Sequence, residues 1–390
     1  MSYVLGATEK SSYHQDREEL LKCIWGLKGT RVEHRVFNVP SQKYKNLFLD
    51  TLYFPPLKTP QKLFMLSSGV HGVEAPLGSQ IQRQFLSNTF SDLDRDHLGV
   101  LIVHVLNPYG YVEGIRVTES NVDLNRNFFS HEKFPHLESN AFEKYRSVLS
   151  VEKSLSSRWR DGFSLLSDVL RVSVLGGSRR EEFTQAFAGG QYSDPKGVYF
   201  GGQDFEPQVM WFSKILDEIL PLYQELLLYD VHTGLGKEDQ LQLISSLESQ
   251  RDRDFLTSFK QKVEVVDKLS VVSPESDGFY VTRGDFIDFV HAKASRQARV
   301  LAFTAEFGTL GDSIISKLQT LSRIVFENRG RNFGYANSEL ERSVQASFVE
   351  LFNPTSSEWN LRAMNLANYA IKAALLEFRE SQVLKKASIY

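Results

Sequence analysis

Apolar positions along the chain fall into short blocks, separated by longer stretches in which they recur at helical spacing. Four of the blocks read as buried strands that run into polar or glycine-bearing loops: Leu63 to Val70, Val100 to Leu106, Leu226 to Val231 and Arg299 to Ala305. Two β-rich stretches, Arg31–Val39 and Asn46–Phe54, precede them, and Pro55-Pro56 ends the second. Helical spacing is found over Asp16 to Leu27, Ala75 to Asn88, Pro207 to Glu225, Ser316 to Glu327 and about Glu358 to Arg379. Strands that alternate with helices predict a mostly parallel sheet covered on both faces. In such sheets the ligand site lies beyond the carboxyl ends of the strands. There this chain carries His71 and Glu74 after the first block, Asn107-Pro108-Tyr109-Gly110 after the second, His232 after the third and Glu306 after the fourth.

The stretch from about Phe129 to Phe205 breaks the pattern: charged and serine-rich at first, then glycine-rich from Ala188 to Gly202. No shift in composition marks a domain boundary and no repeat is visible. The expectation is a single domain over 1–390 with an irregular insertion at about 129–205, either shaping the mouth of a site or forming a plain surface excursion.

Composition then narrows the class. At 42% hydrophobic and 24% charged residues the chain is ordinary for a globular protein. A net charge of −3 gives neither nucleic acid nor an anionic membrane a reason to bind. The single cysteine, Cys23, excludes an internal disulfide, so nothing points to an oxidising compartment. With no basic-then-apolar leader and no apolar run approaching ~18 residues, the expectation is a cytoplasmic protein without a membrane span.

An imidazole and a carboxylate three residues apart, as in His71 and Glu74, can reach one metal ion from a turn that leaves a strand. Taken alone, the pair is as readily a loop histidine beside a glutamate that favours a helix start. His232, at another strand end, supplies a third donor. Two histidines and one glutamate, with a fourth position left to water, form a common catalytic zinc set. The densest polar run is Asn121 to Phe128. With Arg116 it brings two arginines and three asparagines together, side chains that suit a carboxylate clamp. Asp123 has the wrong sign for that clamp but suits a metal-bound imidazole, which it would orient.

The order His71-Gly72-Val73-Glu74, Asn107 to Tyr111, Arg116, Asp123 to Phe128, His232-Thr233-Gly234, then a strand ending in Glu306, resembles the zinc metallocarboxypeptidase family, the carboxypeptidase A-like enzymes. The likeness spans roughly Leu63 to Thr309. It implies an α/β fold with a central mixed, mostly parallel sheet of about eight strands flanked by helices. His71, Glu74 and His232 would hold one zinc ion, with another divalent metal as the alternative. Arg116 would stabilise the oxyanion, and Asn125 and Arg126 would grip the substrate carboxylate. Asp123 would support the first histidine. Glu306 would be the general base that takes a proton from the attacking water and passes it to the leaving amine. Tyr280 matches the substrate-capping tyrosine, and Ile287 would then sit near the floor of an apolar specificity pocket.

Two departures widen the reading. Glu74 and His232 are further apart than is usual in that family, because of the insertion. The glycines after His71 and Phe307 resemble zinc deacylases of the succinylglutamate desuccinylase and aspartoacylase type, and the whole is also similar to an uncharacterised bacterial branch of the superfamily. The leading expectation is hydrolysis of an amide bond next to a free carboxylate, in a peptide or peptide-like substrate. The alternatives are an N-acyl amino acid deacylase with the same metal site and a non-catalytic ligand-binding domain. The oligomeric state is left open.

Overall fold

The computed structural model describes residues 12–130, 133–137, 139–174, 177–245, 250–272, 282–294 and 298–381. Among these, eight strands form one sheet: β1 (Glu33–Asn38), β2 (Phe48–Phe54), β3 (Lys62–Ser68), β4 (Leu98–His104), β5 (Glu225–Gly234), β6 (Leu241–Ile244), β7 (Leu269–Val272) and β8 (Arg299–Gly308). Their spatial order is β1-β2-β4-β3-β5-β8-β6-β7. The middle four, β4, β3, β5 and β8, run parallel, while β2 and β1 at one side and β6 against β8 pair antiparallel. The mixed, mostly parallel sheet of eight strands is therefore as expected. Strands β6 and β7 carry too few residues to leave a clear periodic signal.

The helices are α1 (Ser12–Gly26), α2 (Ala75–Asn88), α3 (Pro108–Glu113), α4 (Asn140–Leu149), α5 (Arg158–Val174), α6 (Gly177–Ala188), α7 (Pro207–Ile219), α8 (Gln250–Val263), α9 (Phe286–Ala294), α10 (Ile314–Phe333), α11 (Ser338–Phe352) and α12 (Ser357–Glu380). Alternation along the central strands feeds two cores. Phe64, Leu66, Leu227 and Tyr229 join residues of α2, α8 and α12 on one face. Leu63, Met65, Leu226 and Leu228 join residues of α7 and α9 on the other. Burying each such side chain stabilises the fold by about 1.5–3 kcal/mol. No helix among the described residues is long and apolar enough to cross a membrane.

Three boundaries differ from the sequence reading. Helix α7 stops at Ile219, because Pro221 lies in the tight turn that follows and cannot extend the ladder. Strands β5 and β8 continue past their apolar blocks. They stay in register from Glu225↔Arg299 to Gly234↔Gly308, so His232 and Glu306 are strand residues facing each other rather than loop residues. The insertion is not irregular: it holds α4, α5 and α6, whose Phe142, Leu149, Leu165 and Ala186 pack in a third core with Ile324, Phe326, Phe348 and Phe352 of α10 and α11.

Helix α11 ends against the two long strands. Thr233 and Thr309 donate their hydroxyls to the carbonyls of Phe352 and Leu351, so orphan acceptors at the helix end tie down the strand ends. At the other side of the sheet, Asp50 of β2 is fully buried. It accepts from Arg17 Nε and Nη2 at 2.6 and 2.8 Å and lies 2.7 Å from His34 Nε2. Burial pushes its carboxyl up, but His34 and Arg17 outweigh that and hold it below the ordinary aspartate range. A depressed folded value means that the contribution is complete above the unfolded value and is lost as pH falls through the folded one. Asp50→Asn should therefore cost roughly 2–3 kcal/mol at neutral pH and flatten the acid limb of stability, as read from urea midpoints over about pH 3 to 7.

Candidate metal centre

His71 leaves the end of β3, and Gly72 to Glu74 form a tight turn that runs directly into α2. The turn rests on the Asn107–Gly110 segment. A Cβ on Gly72 would lie 2.1 Å from the Gly110 carbonyl carbon, so two backbones meet where no side chain fits. Gly72 N and Val73 N donate to the carbonyls of Arg116 and Ile115 at 3.2 and 2.9 Å. Asn107 accepts from Gly110 N at 2.9 Å and donates to Arg116 O at 3.0 Å. The segment thus holds the metal turn and the Arg116 backbone in one piece.

His71, Glu74 and His232 are all buried, and one donor atom from each lies within 4.8 Å of the others. His71 Nδ1 is 2.8 Å from Glu74 Oε1, yet neither ring nitrogen of His71 makes a hydrogen bond of acceptable geometry. His232 Nδ1 stands 3.2 Å from Glu74 Oε2. Two unsatisfied ring nitrogens on buried His71, crowded against Glu74 and His232, point to a common centre between the three donors. This set fits a divalent cation with two nitrogen ligands and one oxygen ligand.

Each imidazole is backed by a carboxylate. Asp123 Oδ1 lies 3.3 Å from His71 Nε2, and Asp230 Oδ2 lies 2.6 Å from His232 Nε2. Ser67 in turn donates to Asp230 Oδ1 at 2.6 Å. Asp230 has no role in the sequence reading. Its signal was present, since residues two apart on a strand share a face and Asp230 stands two before His232. Burial pushes the Asp123 carboxyl up, but Arg116 and His71 hold it well below the usual range. Burial likewise raises Glu74, and the two imidazoles outweigh it and bring the carboxyl down. His232 is driven the other way: burial lowers it, and Asp230 and Glu74 lift it well above an ordinary histidine.

Arg116 Nε donates to Asp123 Oδ2 at 2.9 Å and Nη1 reaches Glu74 Oε1 at 3.3 Å, so the guanidinium stands directly beside the cluster. Opposite His232, Glu306 accepts from Leu235 N at 2.9 Å through Oε1. Burial pushes its carboxyl up to about 7, with His232 pulling down and Glu74 pushing up. These groups line a cavity of about 570 Å³ together with Asn125, Arg126, Asp285 and Ile287.

The clamp residues are both at this cavity, in different states of engagement. Asn125 Oδ1 accepts from Phe286 N at 2.9 Å, which leaves the amide Nδ2 as the donor for a ligand. Arg126 is 1% exposed, and its Nη1 and Nη2 donate to the carbonyls of Asn125 and Ala188, each at 2.6 Å. Gly190, at φ +88, leaves room for the arginine stem, because a Cβ there would lie 2.5 Å from Arg126 Cδ. The end of the insertion is therefore a wall of the cavity. Tyr199, also from the insertion and at φ +51, sets its ring 4.9 Å from the Arg116 guanidinium and 5.9 Å from that of Arg126. The sequence reading passed over Tyr199, whose only mark was an aromatic in a glycine-rich run. Tyr280 lies outside the described residues.

The fold is an α/β architecture with a central eight-stranded mixed sheet, like that of carboxypeptidases. Carboxypeptidase A from Helicoverpa armigera is similar over 96% of this chain and 78% of that one, at 14% identity and a TM-score of 0.50. A metallo-carboxypeptidase from Pseudomonas aeruginosa (11% identity, 93% and 68% coverage, TM-score 0.46) and the succinylglutamate desuccinylase from Chromobacterium violaceum (12%, 87% and 74%, TM-score 0.36) are more distant likenesses. At these identities the likeness is one of fold. Residues 10–365 match the family described as "Protein of unknown function (DUF2817)", and the chain belongs to that family. No curated protein matches the sequence.

Asp230→Ala should leave all three donors in place but release His232 from its orienting partner. The expected result is a loss of about 10–100-fold in affinity for a divalent metal, read by competition with a chromogenic chelator.

Proposed function

We propose that this chain is a zinc-dependent hydrolase that cleaves an amide bond next to a free carboxylate, in the manner of a carboxypeptidase. The observation that carries this reading is the convergence of His71, Glu74 and His232 with Glu306 and Arg116 on one cavity, although they come from four separate stretches of sequence. A binding site for a neutral ligand needs no buried carboxyl held near neutrality beside a metal-ligand cluster.

Zinc held by His71, Glu74 and His232 would polarise the scissile carbonyl and lower the pKa of water. Glu306 is the base. With Oε1 fixed by Leu235 N, its other oxygen takes a proton from the attacking water and returns it to the leaving nitrogen. Its upward-shifted carboxyl suits both directions of transfer near neutral pH. Arg116, held in place by Asp123 and beside Glu74, donates to the oxygen on which charge develops. The Asn125 amide and Arg126 receive the substrate's terminal carboxylate. Arg126, whose Nη1 and Nη2 donate to the carbonyls of Asn125 and Ala188, brings its positive charge to that end of the cavity. Tyr199 covers both guanidinium groups and limits their contact with water.

The test is metal content, together with hydrolysis of a panel of blocked dipeptides and N-acyl amino acids. One zinc per chain and chelator-sensitive cleavage are the expected results. Preference for N-acyl amino acids over dipeptides would make the enzyme a deacylase on the same centre. Failure to take up zinc would overturn the reading. Glu306→Gln should keep the metal and lower kcat by about 10²–10⁴-fold, whereas His71→Ala should lose the metal itself.

A further inference from the structure

Helix α5 of the insertion packs by one face and leaves the opposite one bare. Leu165 is buried in the third core, and Gly162 faces the Phe326 ring. Asp161 is turned inward as well. Its Oδ2 accepts from Ser156 N and Ser157 N at 2.8 Å, and its Oδ1 pairs with Arg329 at 3.1 Å. On the outer side stand Trp159, 91% exposed, Phe163, 76% exposed, and Leu166, 39% exposed. Spaced four and then three residues apart, they form one stripe along the helix. Large apolar side chains gathered in water in this way mark a surface that something covers.

The stripe is bordered by cations. Arg158 Nη1 and Nη2 donate to the hydroxyls of Ser343 and Ser347 on α11 at 3.0 and 3.3 Å, and Arg323 Nη1 of α10 donates to the Ser347 carbonyl at 3.2 Å. Two guanidinium groups are thus brought to one serine. Arg160 is exposed on the other flank of Trp159. Among the described residues none of these three arginines forms an ion pair. Burial and the neighbouring charge of Arg158 push the Arg323 guanidinium down, and Glu350 only partly offsets them. Positive charge is held together here without an anion to balance it.

Area and sign decide which partner fits. Aromatic rings bury about 150–250 Å² each, so the stripe offers on the order of 400 Å², about half of the ~800 Å² that a stable protein partner covers. A second copy docked through the same face would set the arginines of both against each other. A bilayer surface meets neither difficulty. It takes aromatic rings at the level of the headgroups by shallow insertion, and its phosphates supply the missing negative charge. The net charge of −3 gave an anionic membrane no reason to bind, but it averages over every face of the chain.

We propose that the outer face of α5 docks this protein on an anionic phospholipid surface, with Trp159 and Phe163 in the headgroup layer and Arg158, Arg160 and Arg323 against the phosphates. The patch adjoins the cavity, because Arg323 precedes Ile324, which lines it. Docking holds the cavity near the membrane without drawing on any residue of the metal centre, so the proposal stands apart from the hydrolase reading.

The full chain is mixed with vesicles of phosphatidylcholine alone and of phosphatidylcholine with phosphatidylglycerol, and binding is read by co-sedimentation and by tryptophan emission. Binding to the anionic vesicles is expected to be at least about tenfold tighter than to the neutral ones, an advantage that salt removes. Emission should shift to the blue on binding in the wild type and in Trp25→Phe, but not in Trp159→Phe. Trp159→Ser combined with Phe163→Ser, and Arg158→Gln combined with Arg160→Gln, should each weaken binding by at least about tenfold. These side chains are all exposed, so the urea midpoint should not move. No binding to anionic vesicles, or binding that the variants leave unchanged, would overturn the proposal. So would a dimer that Trp159→Ser dissociates, which makes a second copy the occupant, or uptake of a phosphorylated peptide or inorganic phosphate without vesicle binding. Metal content and dipeptide hydrolysis in solution are measured separately, and either reading can fail while the other holds.

Discussion

Six ionisable side chains lie together almost out of water at the carboxyl ends of β3 and β5: His71, Glu74, Arg116, Asp123, Asp230 and His232. A buried charge without a partner costs several kcal/mol, so such a group persists only where every member has a neighbour of the right sign. The surrounding structure is arranged to meet that condition. Each imidazole lies between Glu74 and an aspartate of its own, and Arg116 bridges Glu74 and Asp123. Glu306, just outside this group, forms no ion pair among the described residues, and burial shifts its carboxyl toward neutrality. The same requirement explains the backbone around the centre. The turn after His71 rests on Gly110, and the two threonines anchor the strand ends to α11, so the donors have little freedom to drift from one another.

Much of this was legible in the sequence because the chemistry is written in local runs. His71 with Glu74, Asp123 with Asn125 and Arg126, and His232 lie in short motifs at strand ends. Long apolar strands announce their own burial. What escaped depends on pairing across the chain. The block ending at Val231 seemed to give way to a loop, because His232 and Thr233 are polar; in the fold the β8 backbone carries the ladder on to Gly234. Asp230 was visible only as the residue before a strand end, and its role needs the alternation of a strand that continues past it. The insertion looked irregular because charged and serine residues dominate it, and its apolar stripe makes sense only against Ile324, Phe326 and Phe348, far away in sequence.

The Asn107–Gly110 run shows how a motif can be recognised for one reason and needed for another. It stands out as part of a family-like order, yet none of its side chains is at the metal cluster. Asn107 spends its amide on the backbone of Gly110 and Arg116, and Gly110 exists to let Gly72 approach. Its contribution is to fix the distance between two pieces of chain that each carry a functional group. Asn127 behaves similarly at the far end of the insertion, where it bonds the carbonyls of Gly201 and Asp204 and accepts from Glu206 N.

Arg126 joins the cavity to the insertion through the carbonyl of Ala188, the last residue of α6. On the proposed reading, seating of that helix end and occupation of the cavity by an anion draw on one guanidinium, and the two equilibria would be thermodynamically linked. Whatever factor a bound carboxylate applies to the docking of α6, the docking of α6 applies to the carboxylate's affinity, since coupling between two binding events is reciprocal. Under that reading, sequence drift in the insertion, far from any reacting atom, would be felt as a change in apparent affinity for the ligand.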